Sequence, residues 1–172
     1  MRWLVGGCLA ATMGMAWVVE AAGSGARPLV VDDGASWQRF ADQLGEGYST
    51  GKTQPLPELR KQMESRHRTV VELAKLGKRG LEASEVYERC SASVVALGSV
   101  YKCNRCPHWH TGGTGTGWVI GRRGEIVSNY HVFADGRNTN VVAIGALTQD
   151  GRCFPVEEVL AADRERDVIV VR

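Results

Sequence analysis

Apolar positions change their spacing near Ser93. Before it they recur at helical intervals; after it they come in short runs of β-branched residues. Trp37, Phe40, Ala41 and Leu44 predict a short helix capped by Ser36, and Gly45, Gly47, Ser49, Thr50 and Gly51 after it read as a linker. The longest helix is predicted over 57–79. Pro57 and Glu58 suit a first turn, and Lys75, Lys78 and Arg79 before Gly80 suit a last one. Its apolar stripe of Leu59, Met63, Val70, Leu73 and Leu76 is interrupted at Arg66 and His67; a partner helix or a flank of the main domain could use it, but a spacer helix with a solvated basic face is the expectation. A shorter helix is predicted over 84–90, with Ser84 as its cap.

From Ser93 onward the runs Val94-Val95-Ala96-Leu97, Gly117-Trp118-Val119-Ile120, Glu125-Ile126-Val127, Val141-Val142-Ala143-Ile144 and Val168-Ile169-Val170-Val171 read as strands. Turn residues such as Arg122-Arg123-Gly124 and Gln149-Asp150-Gly151 separate them. Many short strands without helices between them predict an antiparallel barrel or sandwich. No internal repeat is present. The run at 168–171 is apolar enough to need a strand on each side, and its place at the end of the chain reads as truncation.

Composition adds the setting. At 172 residues, 44% of them hydrophobic and 23% charged, the chain has room for one globular domain and an appendage. Arg2, the apolar stretch from Trp3 to Val19 and the small residues Ala21-Ala22-Gly23-Ser24 have the three parts of a secretory signal over residues 1–22. Left uncleaved, the same stretch would be an anchor, and that is the single route to a membrane. The expected compartment is therefore periplasmic or extracellular. A helical lead-in and linker are expected over 23–83. The formal net charge of +2, from 21 basic and 19 acidic residues, gives no reason to expect a nucleic-acid partner. Loss of the signal removes Cys8 and leaves Cys90, Cys103, Cys106 and Cys153. An exported chain with an even cysteine count permits disulfides.

Two polar residues stand out among the strands. His131 follows Ile126-Val127-Ser128-Asn129-Tyr130 at the end of one strand and the start of a polar turn, held by backbone and facing a cleft, which suits a general base; taken alone, a histidine is more often an ordinary surface or packing residue. Asp167 opens the last apolar run, where a carboxylate is costly unless a donor or cation satisfies it. Asp163 is its competitor, in a charged turn where solvation is expected.

These residues carry a resemblance. Gly115-Thr116-Gly117-Trp118-Val119-Ile120, a turn at Gly124 and Ile126-Val127-Ser128-Asn129-Tyr130-His131-Val132 resemble the histidine motif of HtrA/Deg-type trypsin-like serine peptidases. Asp150-Gly151 with Phe154-Pro155-Val156, then Asp167-Val168-Ile169-Val170, is similar to that family's later hairpin and aspartate strand. The likeness covers about residues 84–172 in the family's order. Ile169, where a small residue is usual, and Ser128, where threonine is more usual, depart from it. The resemblance implies a mainly β fold: the first antiparallel barrel of a chymotrypsin-like double-barrel peptidase, truncated and preceded by a helical segment. It implies His131 and Asp167 as catalytic residues acting on protein or peptide substrates, without a cofactor. No Gly-x-Ser-Gly-Gly run occurs, and Ser93, Ser99 and Ser128 lie in the wrong elements, so the serine is expected beyond Arg172 and the fragment alone is expected to be inactive. The alternatives are an inactive trypsin-like module that binds peptides and an exported zinc-binding module.

The zinc alternative rests on Tyr101-Lys102-Cys103-Asn104-Arg105-Cys106-Pro107-His108-Trp109-His110. The C-x-x-C pair with His108 or His110 could ligate zinc. It could also be a redox dithiol, or a disulfide between Cys103 and Cys106 that pins the loop. Zinc usually takes two separated pairs and a second C-x-x-C is absent, so a structural disulfide is the expectation.

Overall fold

A computed structural model describes residues 33–73, 80–134 and 140–172. The expected signal over 1–22 and the last turn of the predicted long helix lie outside the described residues.

The β-branched runs form seven strands: β1 (Val94–Lys102), β2 (Trp109–Val119), β3 (Ile126–Ser128), β4 (Val141–Leu147), β5 (Cys153–Pro155), β6 (Val159–Asp163) and β7 (Val168–Val171). Every pairing is antiparallel, in the order β5-β4-β1-β2-β3-β7-β6. Residues 156–158 alone separate the two end strands along the chain. Within that link the Val156 amide donates to the Ile144 carbonyl (3.0 Å), and Glu158 exchanges backbone hydrogen bonds with Arg172 (3.0 and 2.9 Å). One segment thus leaves β4 and joins the end of β7, and the sheet curls back on itself. The fold is mainly β and antiparallel, with helices ahead of it, as the change of period at Ser93 predicts. β7 lies between β3 and β6, which gives its apolar run the two neighbours it requires. Ile169 is fully buried in the main core with Leu97, Ile126, Ile144, Val159 and Val171.

The helices differ from expectation in instructive ways. Helix α1 (Asp33–Ser49) takes in Gly45, Gly47 and Ser49 of the predicted linker and stops before Thr50 and Gly51, where Gly51 turns with φ of +71°. Gly45 is a point of close approach: a Cβ there would stand 2.1 Å from Cδ2 of Trp109. Phe40, Ala41 and Leu44 pack with Val100 and Ala143 in a second, smaller core. Helix α2 (Leu56–Ser65) is ten residues long and stops at the interruption in the stripe. Arg66 turns to extended backbone, and its guanidinium donates to Glu158 (3.0 Å) and to the Val159 carbonyl (2.7 Å). The Arg66 carbonyl in turn accepts from the Ala162 amide at 2.8 Å. Pairing with β6 therefore wins over helix extension. Leu59 and Met63 enter the main core, so α2 is no solvated spacer. Helix α3 (Ala83–Ser91) is capped by Glu82 in a reciprocal box with Glu85, which leaves Ser84 inside the first turn rather than at the cap. A fourth, short helix, α4 (Tyr130–Ala134), follows β3. Residues 32–172 form one unit, and the helical lead-in shares its cores with the barrel. Among the described residues no helix is long and apolar enough to cross a membrane.

This packing makes a stability prediction. Phe40→Ala should cost about 3–5 kcal/mol, the usual result of emptying a buried phenylalanine site. Val70→Ala, at a residue 92% exposed, should stay within about 0.5 kcal/mol. Urea unfolding followed by circular dichroism checks both; equal effects would mean that α1 is not seated on the strands.

Candidate active site

Strand β3 hands directly to α4, and His131 is carried on that helix instead of at the strand's end. Two neighbours hold the helix down. Phe133 is buried in the main core, and Val132 sits against Gly115, where a Cβ would come within 2.6 Å of Val132 Cγ2. The glycine at 115 is thus what lets α4 approach β2.

Asp167 closes the turn between β6 and β7 with φ of +52°, a left-handed backbone that Asp and Asn tolerate better than other side-chain-bearing residues. Its Oδ2 accepts a hydrogen bond from His131 Nδ1 at 2.7 Å, and its Oδ1 accepts one from the His131 backbone amide at 2.9 Å. The Asn129 side-chain amide adds donation to Oδ2 (3.1 Å) and to the Asp167 carbonyl (3.2 Å). The His131 backbone N–H chiefly holds the Asp167 carboxyl below its ordinary range; desolvation opposes it, and the His131 ring and Asn129 add smaller lowering contributions. An ionised carboxylate at this distance places the ring proton on Nδ1. The imidazole side chain remains 71% exposed, and among the described residues no hydrogen bond reaches Nε2. One ring nitrogen is fixed and the other is open to a reactant.

Asp163 turns elsewhere. Its carboxylate accepts from the Arg166 amide (3.0 Å) and guanidinium (2.5 Å), and the amide bond is the main reason its carboxyl is lowered. The serines named above are occupied structurally. Ser128 Oγ donates to the Thr116 carbonyl (2.7 Å), Ser99 to Gly113 (3.3 Å) and Ser93 to Cys90 (2.7 Å). Asn129 is a contributor that sequence reading passed over. Its signal was its position two residues before the histidine, at the exposed end of β3.

Residues 115–172 match the family model described as trypsin-like peptidase domain. The matched stretch contains both His131 and Asp167. Among solved structures the chain is similar to a serine endoprotease from Yersinia pestis at 19% sequence identity and a TM-score of 0.39. That match covers 55% of this chain and 30% of the Yersinia chain. No curated protein matches the sequence.

At the other end of β2 lies the cysteine loop. The disulfide expected between Cys103 and Cys106 is not formed: the sulfurs stand 3.2 Å apart, against about 2.05 Å for a bond. A third group lies beside them. Nε2 of His110 is 3.3 Å from Cys103 Sγ and 3.0 Å from Cys106 Sγ, so both sulfurs converge on the imidazole. Cys103, Cys106 and His110 form a group able to hold a metal ion, while His108 is exposed and outside it. A hydrogen bond from Cys106 pulls the Cys103 thiol down to about 7 and raises Cys106 in exchange. Cys153 and Cys90 are also free thiols, and burial pushes Cys153 up to about 11.

The Asp167 contacts predict acid sensitivity of defined sign. The folded-state pKa lies below the unfolded value of about 3.9, so the stabilisation is present above that value and lost as pH falls through the folded one. The difference in Tm between the parent and Asp167→Asn should therefore shrink below about pH 4. A difference that grows in acid would show the pair to be linked with the opposite sign.

Proposed function

We propose that this chain supplies the first barrel of an exported serine endopeptidase of the HtrA/Deg type, with His131 as general base and Asp167 as the carboxylate that orients it. The observation that carries this reading is the double acceptance by Asp167 of His131 Nδ1–H and backbone N–H, which leaves Nε2 open. The match over residues 115–172 supports the peptidase class. A second barrel beyond Arg172 supplies the serine and the oxyanion-hole amides.

In that assembly the serine Oγ attacks the scissile carbonyl carbon as its proton passes to His131 Nε2. The C–O bond forms, the carbonyl oxygen takes up the negative charge, and Asp167 stabilises the imidazolium. Collapse of the intermediate breaks the C–N bond, and Nε2–H gives its proton to the departing amine. Water then repeats the sequence to release the acid. Proteins or peptides are the substrates. Export rests on the basic, apolar and small-residue segments of residues 1–22.

A fluorophosphonate probe tests the reading, since the serine must displace fluoride and needs its base to do so. One serine of the full-length protein should be labelled, and His131→Ala should suppress the labelling. An absence of labelling together with no hydrolysis of unfolded casein would make the protein an inactive peptide-binding module.

A further inference from the structure

We propose that Cys103, Cys106 and His110 bind one zinc-class divalent ion, and that this ion locks the hairpin tip on which helix α1 is seated. Three donor atoms from an eight-residue stretch, 103–110, lie within 3.3 Å of one another. A disulfide would need the two sulfurs alone; convergence of both on one imidazole nitrogen is the geometry of a ligand set. Two sulfurs and a nitrogen select zinc or similar borderline-soft ions over magnesium or calcium. Tetrahedral bonds of 2.0–2.3 Å put ligand atoms roughly 3.5–3.8 Å apart, so the cluster must open by roughly 0.2–0.6 Å. The fourth position is left to solvent.

The hairpin explains why these atoms meet. Tyr101 pairs with His110 and Lys102 with Trp109, so the loop closes directly over the strand that carries the histidine. Tyr101 stacks on the His110 ring at 5.3 Å, which holds its orientation.

The consequence reaches α1 through strand alternation. Trp109 and Thr111 flank His110 and point to the opposite face of β2. Trp109 presses on Gly45, meets Tyr48 edge-on at 6.3 Å, and accepts a hydrogen bond on its carbonyl from Gln38 at 3.3 Å. Thr111 Oγ1 donates to the Trp37 carbonyl at 3.3 Å. An ion that fixes His110 therefore fixes two of the residues that receive α1, beside Val100 and Ala143 of the smaller core. Gly115, beside α4, is five positions farther along the strand, about 17 Å at 3.3 Å per residue. The ion is thus a structural clamp, and it stands independently of the peptidase reading.

The test is metal content and spectroscopy of the full-length protein. Purified without chelator, it should carry about one zinc per chain by mass spectrometry. Cobalt(II) exchanged for zinc should give thiolate-to-cobalt charge transfer and tetrahedral ligand-field bands. Cys103→Ser, Cys106→Ser and His110→Gln should each lose the ion, while Cys90→Ser and Cys153→Ser retain it. Stripping the ion should reduce hydrogen-exchange protection of residues 33–49. The cobalt spectrum and the exchange comparison use the unsubstituted protein, so a variant that fails to fold does not spoil the test. Failure to take up zinc or cobalt stoichiometrically, or a Cys103–Cys106 disulfide in the protein as purified, overturns the proposal. Unchanged protection of α1 on metal loss overturns its clamping role.

Discussion

If the full-length protein works as proposed, His131→Ala should lower its kcat by about 10⁶-fold, the loss found when the histidine of a serine-protease triad is removed. That factor corresponds to about 8 kcal/mol of transition-state stabilisation. The size follows from what the ring does twice in the proposed mechanism. There it accepts the serine proton on attack and returns it to the amine on departure, and among the described residues no other basic side chain stands on Asp167 to take over. Asn129 donates an amide hydrogen and has no basic nitrogen to offer. KM should change little, because the imidazole acts on the reacting atoms. The fold should survive, since α4 is anchored by Phe133 and Val132 and the side chain removed is largely exposed. Steady-state kinetics with the variant's circular dichroism spectrum as control check this. A loss of less than tenfold would remove His131 from the chemistry.

Asp167→Asn should cost about 10⁴-fold in kcat, or roughly 5.5 kcal/mol. Asparagine tolerates the left-handed backbone at φ of +52° and keeps the volume, so the substitution isolates the charge and the proton pattern. The carboxylate now accepts two N–H groups of His131, from the ring and from the backbone. An amide can satisfy the backbone N–H with its oxygen, and its NH₂ then faces Nδ1. That arrangement makes Nδ1 an acceptor and moves the ring proton to Nε2, where it blocks the transfer from serine. Asp163→Asn should leave kcat near the parent value, because Asp163 is engaged with Arg166. Equal losses at 163 and 167 would reject Asp167 as the orienting residue.

The candidate site was largely legible because its parts are local. A histidine just after a β-branched strand says little alone, and the runs flanking it and the aspartate, through their resemblance to a known motif order, are what singled the two out. Asp167 was favoured over Asp163 because it opens an apolar run, and the left-handed turn then aims it at His131. Asn129 was missed because its role depends on a partner 38 positions away. For the cysteine loop the sequence left a disulfide, a zinc site and a redox dithiol open, with His108 or His110 as the further ligand; hairpin register decides between the two histidines and brings His110 to the sulfurs.

By itself the sequence determined the change from helical to strand period at Ser93 and the antiparallel β body, which follow from apolar spacing, and it marked Asp167 as a polar group costly among apolar neighbours. His131 and its pairing with Asp167 were implied by the resemblance to the HtrA/Deg-type motifs. The tertiary structure alone decided how long the helices are and what they touch. Gly45 and Gly47 weaken a helix in isolation, yet α1 continues through them because Trp109 demands the space at Gly45. Arg66 has good intrinsic helix propensity, yet α2 ends there because the edge of β6 offers its backbone and guanidinium better partners. Propensity differences amount to less than about 1 kcal/mol per residue, and a buried aromatic contact or a set of strand hydrogen bonds exceeds them.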